Sequence, residues 1–172
     1  ELWEMPEMPF LLVQLPNFMK KQMQPSDGGW ARLREAQLQI AMNVPHTTLA
    51  VTYDVGEWND IHPLNKKAVA HRLFLGARKV AYGEKLVSSG PVYKEMKIEG
   101  DKIILTFTET GSGLTRKFVW ANAVIKGGRI IVSSKDVAKP VAVRYAWSDN
   151  PEEANLCNKE GLLASPFRTD NW

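Results

Sequence analysis

The period of the hydrophobic pattern changes near Gly83, and this change divides the 172 residues into two parts of different character. Before Gly83, short apolar runs alternate with segments of helical spacing. After it, apolar residues recur at every second position or flank glycine turns. The first pattern is typical of a parallel α/β sheet and the second of antiparallel hairpins. We therefore predict an α/β part over residues 1–85 and an antiparallel β domain over residues 86–172.

The α/β part contains two predicted strands. Phe10–Leu15 is an apolar run that indicates a strand buried on both faces, and Thr47–Tyr53 is a second strand rich in β-branched residues. A helix is predicted between them over Trp30–Met42, with Ser26 or Asp27 as its N-cap. We expect the two strands to be parallel neighbours joined by this helix. Because two strands do not make a stable open sheet, we expect this part to be incomplete.

The second part is predicted to contain hairpins and a strand of strict alternation. The hairpin turns fall at Gly100–Asp101 and Gly127–Gly128, each between apolar runs. In Val141–Trp147 the apolar residues Val141, Val143, Tyr145 and Trp147 alternate with others, which predicts that they share one face of a strand. From Ser148 to Trp172 the apolar residues recur at no regular interval, so this tail is expected to lie extended over the surface.

Composition excludes several classes of function. The net charge is only +3 and the basic residues are scattered, which argues against nucleic-acid binding. No apolar segment is long enough to span a bilayer. Cys157 is the single cysteine and the three histidines have no paired spacing, so neither a disulfide nor a metal site is expected, and no cofactor. The chain begins at Glu1 without a signal peptide or an initiator methionine, and we expect it to start inside something larger.

His62 is the strongest candidate for chemistry. It follows the strand Thr47–Tyr53 through a loop and precedes a helix predicted to begin at Pro63 and end at Gly83. In open α/β sheets this carboxyl end of a strand is where ligands bind. The positive end of a helix dipole favours neutral imidazole, the form that a general base needs. The alternative is that His62 only caps the helix.

Other residues near His62 have supporting roles in this interpretation. Asp60 and Asp54 are near enough in sequence to orient the imidazole ring, and Trp58 is the aromatic residue expected to contact a sugar. His46, in a turn, and His71, in mid-helix, are weaker candidates. The segment Gly111-Ser112-Gly113 does not match the Gly-x-Ser-x-Gly pattern of a nucleophile elbow and is expected to be a hairpin loop.

Seven segments of the chain, in order, resemble the sialate O-acetylesterases, a branch of the SGNH hydrolases. The segments are Pro9–Asn17, Trp30–Gln37, Asn59–Lys66, Tyr82–Gly83, Ser89–Tyr93, Pro140–Trp147 and Ala164–Asp170. The resemblance implies that residues 1–85 are the C-terminal part of an SGNH or flavodoxin-like three-layer α/β/α catalytic domain. Residues 86–172 would then be a small antiparallel domain resembling a β-sandwich.

The resemblance also implies a reaction. In this family a serine near the start of the catalytic domain attacks an acetyl ester, early loops hold the oxyanion, and a late histidine accepts the serine proton. His62 matches that histidine. The wider superfamily has an aspartate three residues earlier, where this chain has Asn59, and the nearest carboxylate is Asp60. The resemblance therefore leaves open a Ser–His dyad helped by Asp60, Asp54 or a backbone carbonyl. The family's serine and oxyanion residues would precede Phe10, so this chain is expected to supply the base without the nucleophile.

Three functions are consistent with these features. The first is removal of O-acetyl groups from sialic acid, with an acetylated sugar and the N-terminal part of the same enzyme as partners. The second is deacetylation of plant polysaccharides such as xylan or pectin, and the third is a non-catalytic binding or structural fragment that self-associates. The family resemblance implies a periplasmic, secreted or lysosomal location for the full-length enzyme. A second, N-terminal polypeptide in purified material would favour the enzymatic functions.

Overall fold

The first two strands form a parallel pair with a helical crossover. The computed structural model describes residues 4–22, 28–115 and 121–172. Strand β1 (Phe10–Val13) pairs in parallel with β2 (Thr47–Ala50), and helix α1 (Gly29–Asn43) joins them. This confirms the predicted strand–helix–strand unit. The predicted caps Ser26 and Asp27 lie outside the described residues, and the helix has Gly28 at its N-cap position.

Helix α2 (Lys66–Val80) packs against both strands. It approaches β2 closely at Gly76, where an added Cβ would lie 2.5 Å from Thr48 Cγ2. The helix begins three residues later than predicted, at Lys66 rather than at Pro63. Asn65 is the reason: its side-chain oxygen accepts a hydrogen bond from the Ala68 backbone N–H at 3.1 Å. Asparagine is among the strongest N-caps, and here it prevails over the preference of proline for a first helical position.

The two strands differ in burial. All four residues of β2 are buried, as predicted. In β1, however, Phe10 is 53% exposed and Val13 is 40% exposed, so the expectation of a strand buried on both faces is wrong for β1. Within the part of the chain that the structure describes, β1 pairs with β2 alone, and its other edge is open. An open edge with apolar side chains is a surface on which further strands can add.

We expect this 172-residue chain, purified alone, to bind a hydrophobic dye and to self-associate through the open β1 edge. Phe10→Lys should reduce both dye binding and association, because edge lysines oppose strand pairing. Val137→Lys is the matched control, since Val137 is 45% exposed but lies in a turn of the other half. Dye fluorescence and light scattering measure the two properties. A dye-silent monomer would contradict the expectation.

The second half is built around a four-stranded antiparallel sheet. Its strands, in spatial order, are β3 (Val92–Glu99), β4 (Lys102–Thr108), β7 (Arg129–Ser133) and β6 (Asn122–Lys126). The predicted turns at Gly100–Asp101 and Gly127–Gly128 join β3 to β4 and β6 to β7, and both are confirmed. Two short pairs accompany the sheet: β5 (Leu114–Thr115) with β9 (Cys157–Asn158), and β8 (Arg144–Tyr145) with β10 (Phe167–Arg168).

The predicted strand Val141–Trp147 is largely wrong. Only β8 pairs, and the expected shared face breaks up: Val141 is 65% exposed whereas Trp147 is 6% exposed. Ala146 has a φ of 52°, a left-handed conformation that interrupts an extended strand. Alternation in sequence therefore does not correspond here to alternation in space.

The tail is not an extended surface segment, and this prediction is also wrong. Leu156, Ala164 and Phe167 are at most 5% exposed and pack into the core formed with β4. The fully buried side chain of Asn158 anchors the tail. It donates a hydrogen bond to the Ser89 carbonyl at 3.0 Å and accepts one from the Leu162 N–H at 2.9 Å. Side-chain bonds of this kind replace regular pairing, which explains why the tail shows no period in sequence.

Arg34 joins the tail to the strand–helix–strand unit. Its buried guanidinium donates to four carbonyl groups at 2.5–2.9 Å: Leu15, Pro16, Ser148 and Asp149. The chain thus has a mixed α/β fold with mostly antiparallel sheets and two helices in its described part. The three-layer arrangement and the boundary at residues 85 and 86 stay predictions. Neither described helix is long and apolar enough to cross a membrane.

Candidate active site

The candidate site lies on the loop that follows β2. Because β1 and β2 are parallel, their carboxyl ends meet at one edge of the sheet. Residues 14–17 follow β1 at this edge, and the loop from Val51 to Asn65 follows β2 and leads to α2. Trp58, Asp60 and His62 all belong to this second loop. Ligands bind at such an edge in open α/β sheets, so the position agrees with the prediction from sequence.

Asp60 and His62 form a hydrogen-bonded pair. One carboxylate oxygen, Oδ1, lies 3.0 Å from His62 Nδ1 and also accepts the His62 backbone N–H at 2.8 Å. The side chain of His62 is 81% exposed, and that of Asp60 is 44% exposed. A carboxylate that binds both the backbone and the ring of the same histidine restricts the direction of the imidazole.

The pairing determines what His62 can do chemically. With its proton on Nδ1 facing Asp60, the ring carries its lone pair on Nε2, the atom that a general base uses. The backbone hydrogen bond from His62, and next the ring hydrogen bond, hold the pKa of Asp60 below its ordinary value of 3.8. Asp60 is therefore ionised near neutral pH and stabilises the imidazolium that forms when Nε2 takes a proton.

The helix dipole does not contribute as expected. His62 was predicted to precede a helix directly, but α2 begins at Lys66 and is capped by Asn65. The influence of a helix terminus is confined to its first turn, and His62 lies outside that turn. The orientation of the imidazole comes from Asp60 instead.

Of the two carboxylates considered for orienting His62, only Asp60 contacts it. Asp54 binds Arg72 of α2 through both oxygens, at 2.6 and 2.7 Å, and the same guanidinium donates to the Val51 carbonyl at 2.6 Å. Asp54 thus fixes the start of the loop. Trp58 is 53% exposed on the same loop, four residues before His62, and its contact with a ligand stays a prediction.

Comparison with known proteins identifies the relatives of the chain. No family model matches it. Sialate O-acetylesterases from mouse, rat and human are 32%, 37% and 30% identical to it, each over 92% of this chain. The chain is similar to the sialate O-acetylesterases over most of its length. This confirms the resemblance seen in the sequence. The chain spans 35–36% of the length of these curated relatives.

A solved structure agrees with the relatives found by sequence. The crystal structure of a carbohydrate acetylesterase from Xanthomonas citri matches 95% of this chain with a TM-score of 0.88 and 47% sequence identity. The match covers 41% of that chain. Both comparisons relate this chain to a portion of esterases, as the resemblance to a part of a sialate O-acetylesterase implies.

The remaining candidates from sequence lie away from the Asp60–His62 pair. His46 precedes β2, at the opposite end of the strand from His62, and His71 is exposed in α2. Ser112 donates its hydroxyl to Glu160 at 2.6 Å in a loop of the β half. Among the described residues, no group of three or more histidine, cysteine, aspartate or glutamate side chains could hold a metal ion.

A cavity of about 270 Å³ lies elsewhere, beside β2. Residues from α1, β2, α2 and the Ser88–Gly90 segment line it, and neither Asp60 nor His62 does. The cavity is therefore separate from the Asp60–His62 pair.

Two polar residues after β1, at the same edge of the sheet as the His62 loop, were not singled out from the sequence. Gln14 and Asn17 are at most 4% exposed, and Asn17 donates to Asn150 of the tail at 3.2 Å. The Pro9–Asn17 segment was noted only for its family resemblance. Gln14 and Asn17 follow β1 at the carboxyl edge of the sheet, and this position is the signal that could have drawn attention to them.

Proposed function

We propose that this chain carries the general base of a carbohydrate O-acetylesterase, with His62 as the base and Asp60 as the residue that orients it. The observation that carries the proposal is the hydrogen bond of 3.0 Å between His62 Nδ1 and Asp60, on a loop at the carboxyl edge of a parallel strand pair. The similarity to sialate O-acetylesterases over 92% of the chain supports the same function.

The mechanism follows from the free Nε2 of His62. A serine hydroxyl attacks the acetyl carbonyl while Nε2 takes the serine proton, giving a tetrahedral oxyanion and an imidazolium paired with Asp60. The imidazolium then gives its proton to the departing sugar oxygen, which leaves an acetyl-serine. Water, deprotonated by His62, attacks this ester and releases acetate, and the proton returns to the serine.

We further propose that the attacking serine belongs to a part of the polypeptide outside these 172 residues. Within the described ranges, the only hydrogen-bond partner of the His62 ring is Asp60. Ser88 and Ser165 line the cavity beside β2, and Ser112 binds Glu160. The relatives are about three times as long as the portion matched here, since the chain spans 35% of the mouse protein. The additional polypeptide would pair with the open edge of β1 and bring the serine to Nε2.

The substrate class that the relatives support best is O-acetylated sialic acid. We propose that Trp58 stacks on the sugar ring of this substrate. The test uses the longer enzyme, meaning the protein that contains both this chain and the additional polypeptide. Its release of acetate from O-acetylated sialic acid is compared with its release from acetylated xylan and pectin. We expect kcat/KM to be highest for the sialic acid substrate. A preference for xylan or pectin would establish deacetylation of plant polysaccharide, and no release from any of them would contradict the esterase proposal.

A further inference from the structure

The loop that carries His62 is anchored to α2 at its start and is held by an internal contact near its end. At its start, Arg72 binds Asp54 through both carboxylate oxygens, and at its end Asp60 binds the backbone and the ring of His62. Between these points the loop turns back on itself, with the Asp60 N–H donating to the Glu57 carbonyl at 3.3 Å. The position of the turn relative to the sheet depends on what the loop rests against.

At Gly56 the loop rests against the segment that follows β1. A Cβ added to Gly56 would lie 2.6 Å from Asn17 Oδ1, 2.7 Å from the Asn17 carbonyl oxygen and 2.7 Å from Pro16 Cβ. Ordinary van der Waals contact begins at 3.4 Å, so the loop or the segment beneath it would have to move by about 0.8 Å. Two of the three atoms belong to backbone and to a proline ring, which do not rotate away. Only glycine allows this approach.

The segment beneath Gly56 is itself anchored. The side chain of Asn17 is buried and donates to Asn150 at 3.2 Å, and Asn150 donates to the Met19 carbonyl at 2.9 Å. Asn17 Oδ1, which faces Gly56, has no hydrogen-bond partner among the described residues. The surface that Gly56 contacts is therefore a buried side chain whose amide nitrogen is held by the tail.

We propose that Asn17 and Gly56 are positioning residues for His62. They set the height of the loop above the carboxyl edge of the sheet, and so the direction in which His62 presents Nε2. This inference rests on the proposed function of His62. It assigns a role in the reaction to two residues that contact neither the substrate nor the reacting atoms.

The expected effect follows from the sensitivity of catalysis to geometry. A displacement of about 1 Å in a catalytic group can lower the rate about 100-fold. The shift that an alanine would impose at Gly56 is close to that size. We therefore expect Gly56→Ala to lower kcat by about 100-fold in the longer enzyme, with KM changed less than about threefold, because the residue does not contact the sugar.

The matched control is Gly29→Ala, the same substitution at the first residue of α1, where nothing lies within 4 Å of the added Cβ. It should leave kcat unchanged. The second readout is the imidazole NMR signal of His62 in the longer enzyme, which is assigned by its loss in His62→Ala. Gly56→Ala should shift the His62 Nδ1 signal, and Gly29→Ala should not.

A second variant keeps the inference testable if Gly56→Ala does not fold. Asn17→Ala leaves the loop glycine in place and removes its support, and should lower kcat by about tenfold and shift the same NMR signal. Wild-type kcat together with an unchanged His62 signal in either folded variant would overturn the positioning role. Retention of activity by His62→Ala would instead overturn the proposed function, whatever the Gly56 and Asn17 variants do.

Discussion

Replacing His62 with alanine should lower the rate of acetate release by about 10⁴-fold or more in the enzyme that contains this segment. The substitution removes the group that we propose takes the serine proton. It should have little effect on folding, because the side chain is 81% exposed and its ring bonds to Asp60 alone among the described residues. Steady-state kinetics and thermal melting, measured on the same preparation, separate the two effects.

Two further variants serve as controls for His62. His71→Ala should behave like wild type, because His71 is exposed on α2 and belongs to no catalytic arrangement. Asp60→Asn should fall between wild type and His62→Ala, since an amide does not stabilise the imidazolium as a carboxylate does. Because the pKa of Asp60 is held below 3.8, this carboxylate should give no inflection in the pH–rate profile above about pH 5. A His62→Ala enzyme that keeps most of its rate would contradict the assignment.

Replacing Arg34 with methionine should lower the free energy of unfolding by about 4 kcal/mol or more. The guanidinium is buried and donates to four carbonyls, two after β1 and two at the start of the tail. Methionine would fill similar space but leave these oxygens without their donor. Burial lowers the pKa of Arg34 only to about 10, so the side chain is charged at neutral pH and each bond is charge-assisted.

Arg32→Met is the matched control for Arg34. Arg32 lies on the same helix, is exposed, and loses the same charge on substitution, so we expect a change of less than about 1 kcal/mol. Arg34→Lys should be intermediate, because an ammonium group does not reproduce the planar set of donors. Urea unfolding monitored by circular dichroism gives the three values. Equal stabilities for Arg34→Met and Arg32→Met would contradict the role of Arg34.

Local patterns in the sequence predicted the local elements of the fold. The crossover from Phe10–Val13 to Thr47–Ala50 followed from apolar runs on either side of a helical segment, and two hairpins followed from glycine turns. These elements depend on neighbouring residues, whose spacing is visible in a sequence. The burial of β1 was overestimated, because it depends on neighbours across the sheet and not on the apolar character of the strand itself.

The path of the tail, residues 148–172, could not be predicted from the spacing of apolar residues in the sequence. Its residues are held by single side chains from distant parts of the chain, as when Asn158 binds the Ser89 carbonyl and Arg34 binds the Ser148 carbonyl. Contacts of this kind produce no regular recurrence of apolar residues in the sequence. A buried arginine also looks like a surface residue in sequence, because its burial depends entirely on the carbonyls that surround it.

The candidate site was predicted in part. His62 and Asp60 were recognised because a histidine after a strand, with a carboxylate nearby, suits a general base. The source of the imidazole orientation was misjudged, since α2 begins only after its Asn65 cap. The contact of Gly56 with Asn17 had no signal in sequence, because it depends on how two loops meet at the sheet edge.

Labelling with a fluorophosphonate tests the central claim most directly, because this reagent reacts with a serine only when a base has activated it. The longer enzyme would be labelled, digested and analysed by mass spectrometry, alongside its His62→Ala and His71→Ala variants. We predict label on a serine outside these 172 residues, retained in His71→Ala and lost in His62→Ala. Label on a serine within the 172 residues, or undiminished labelling of His62→Ala, would contradict the account.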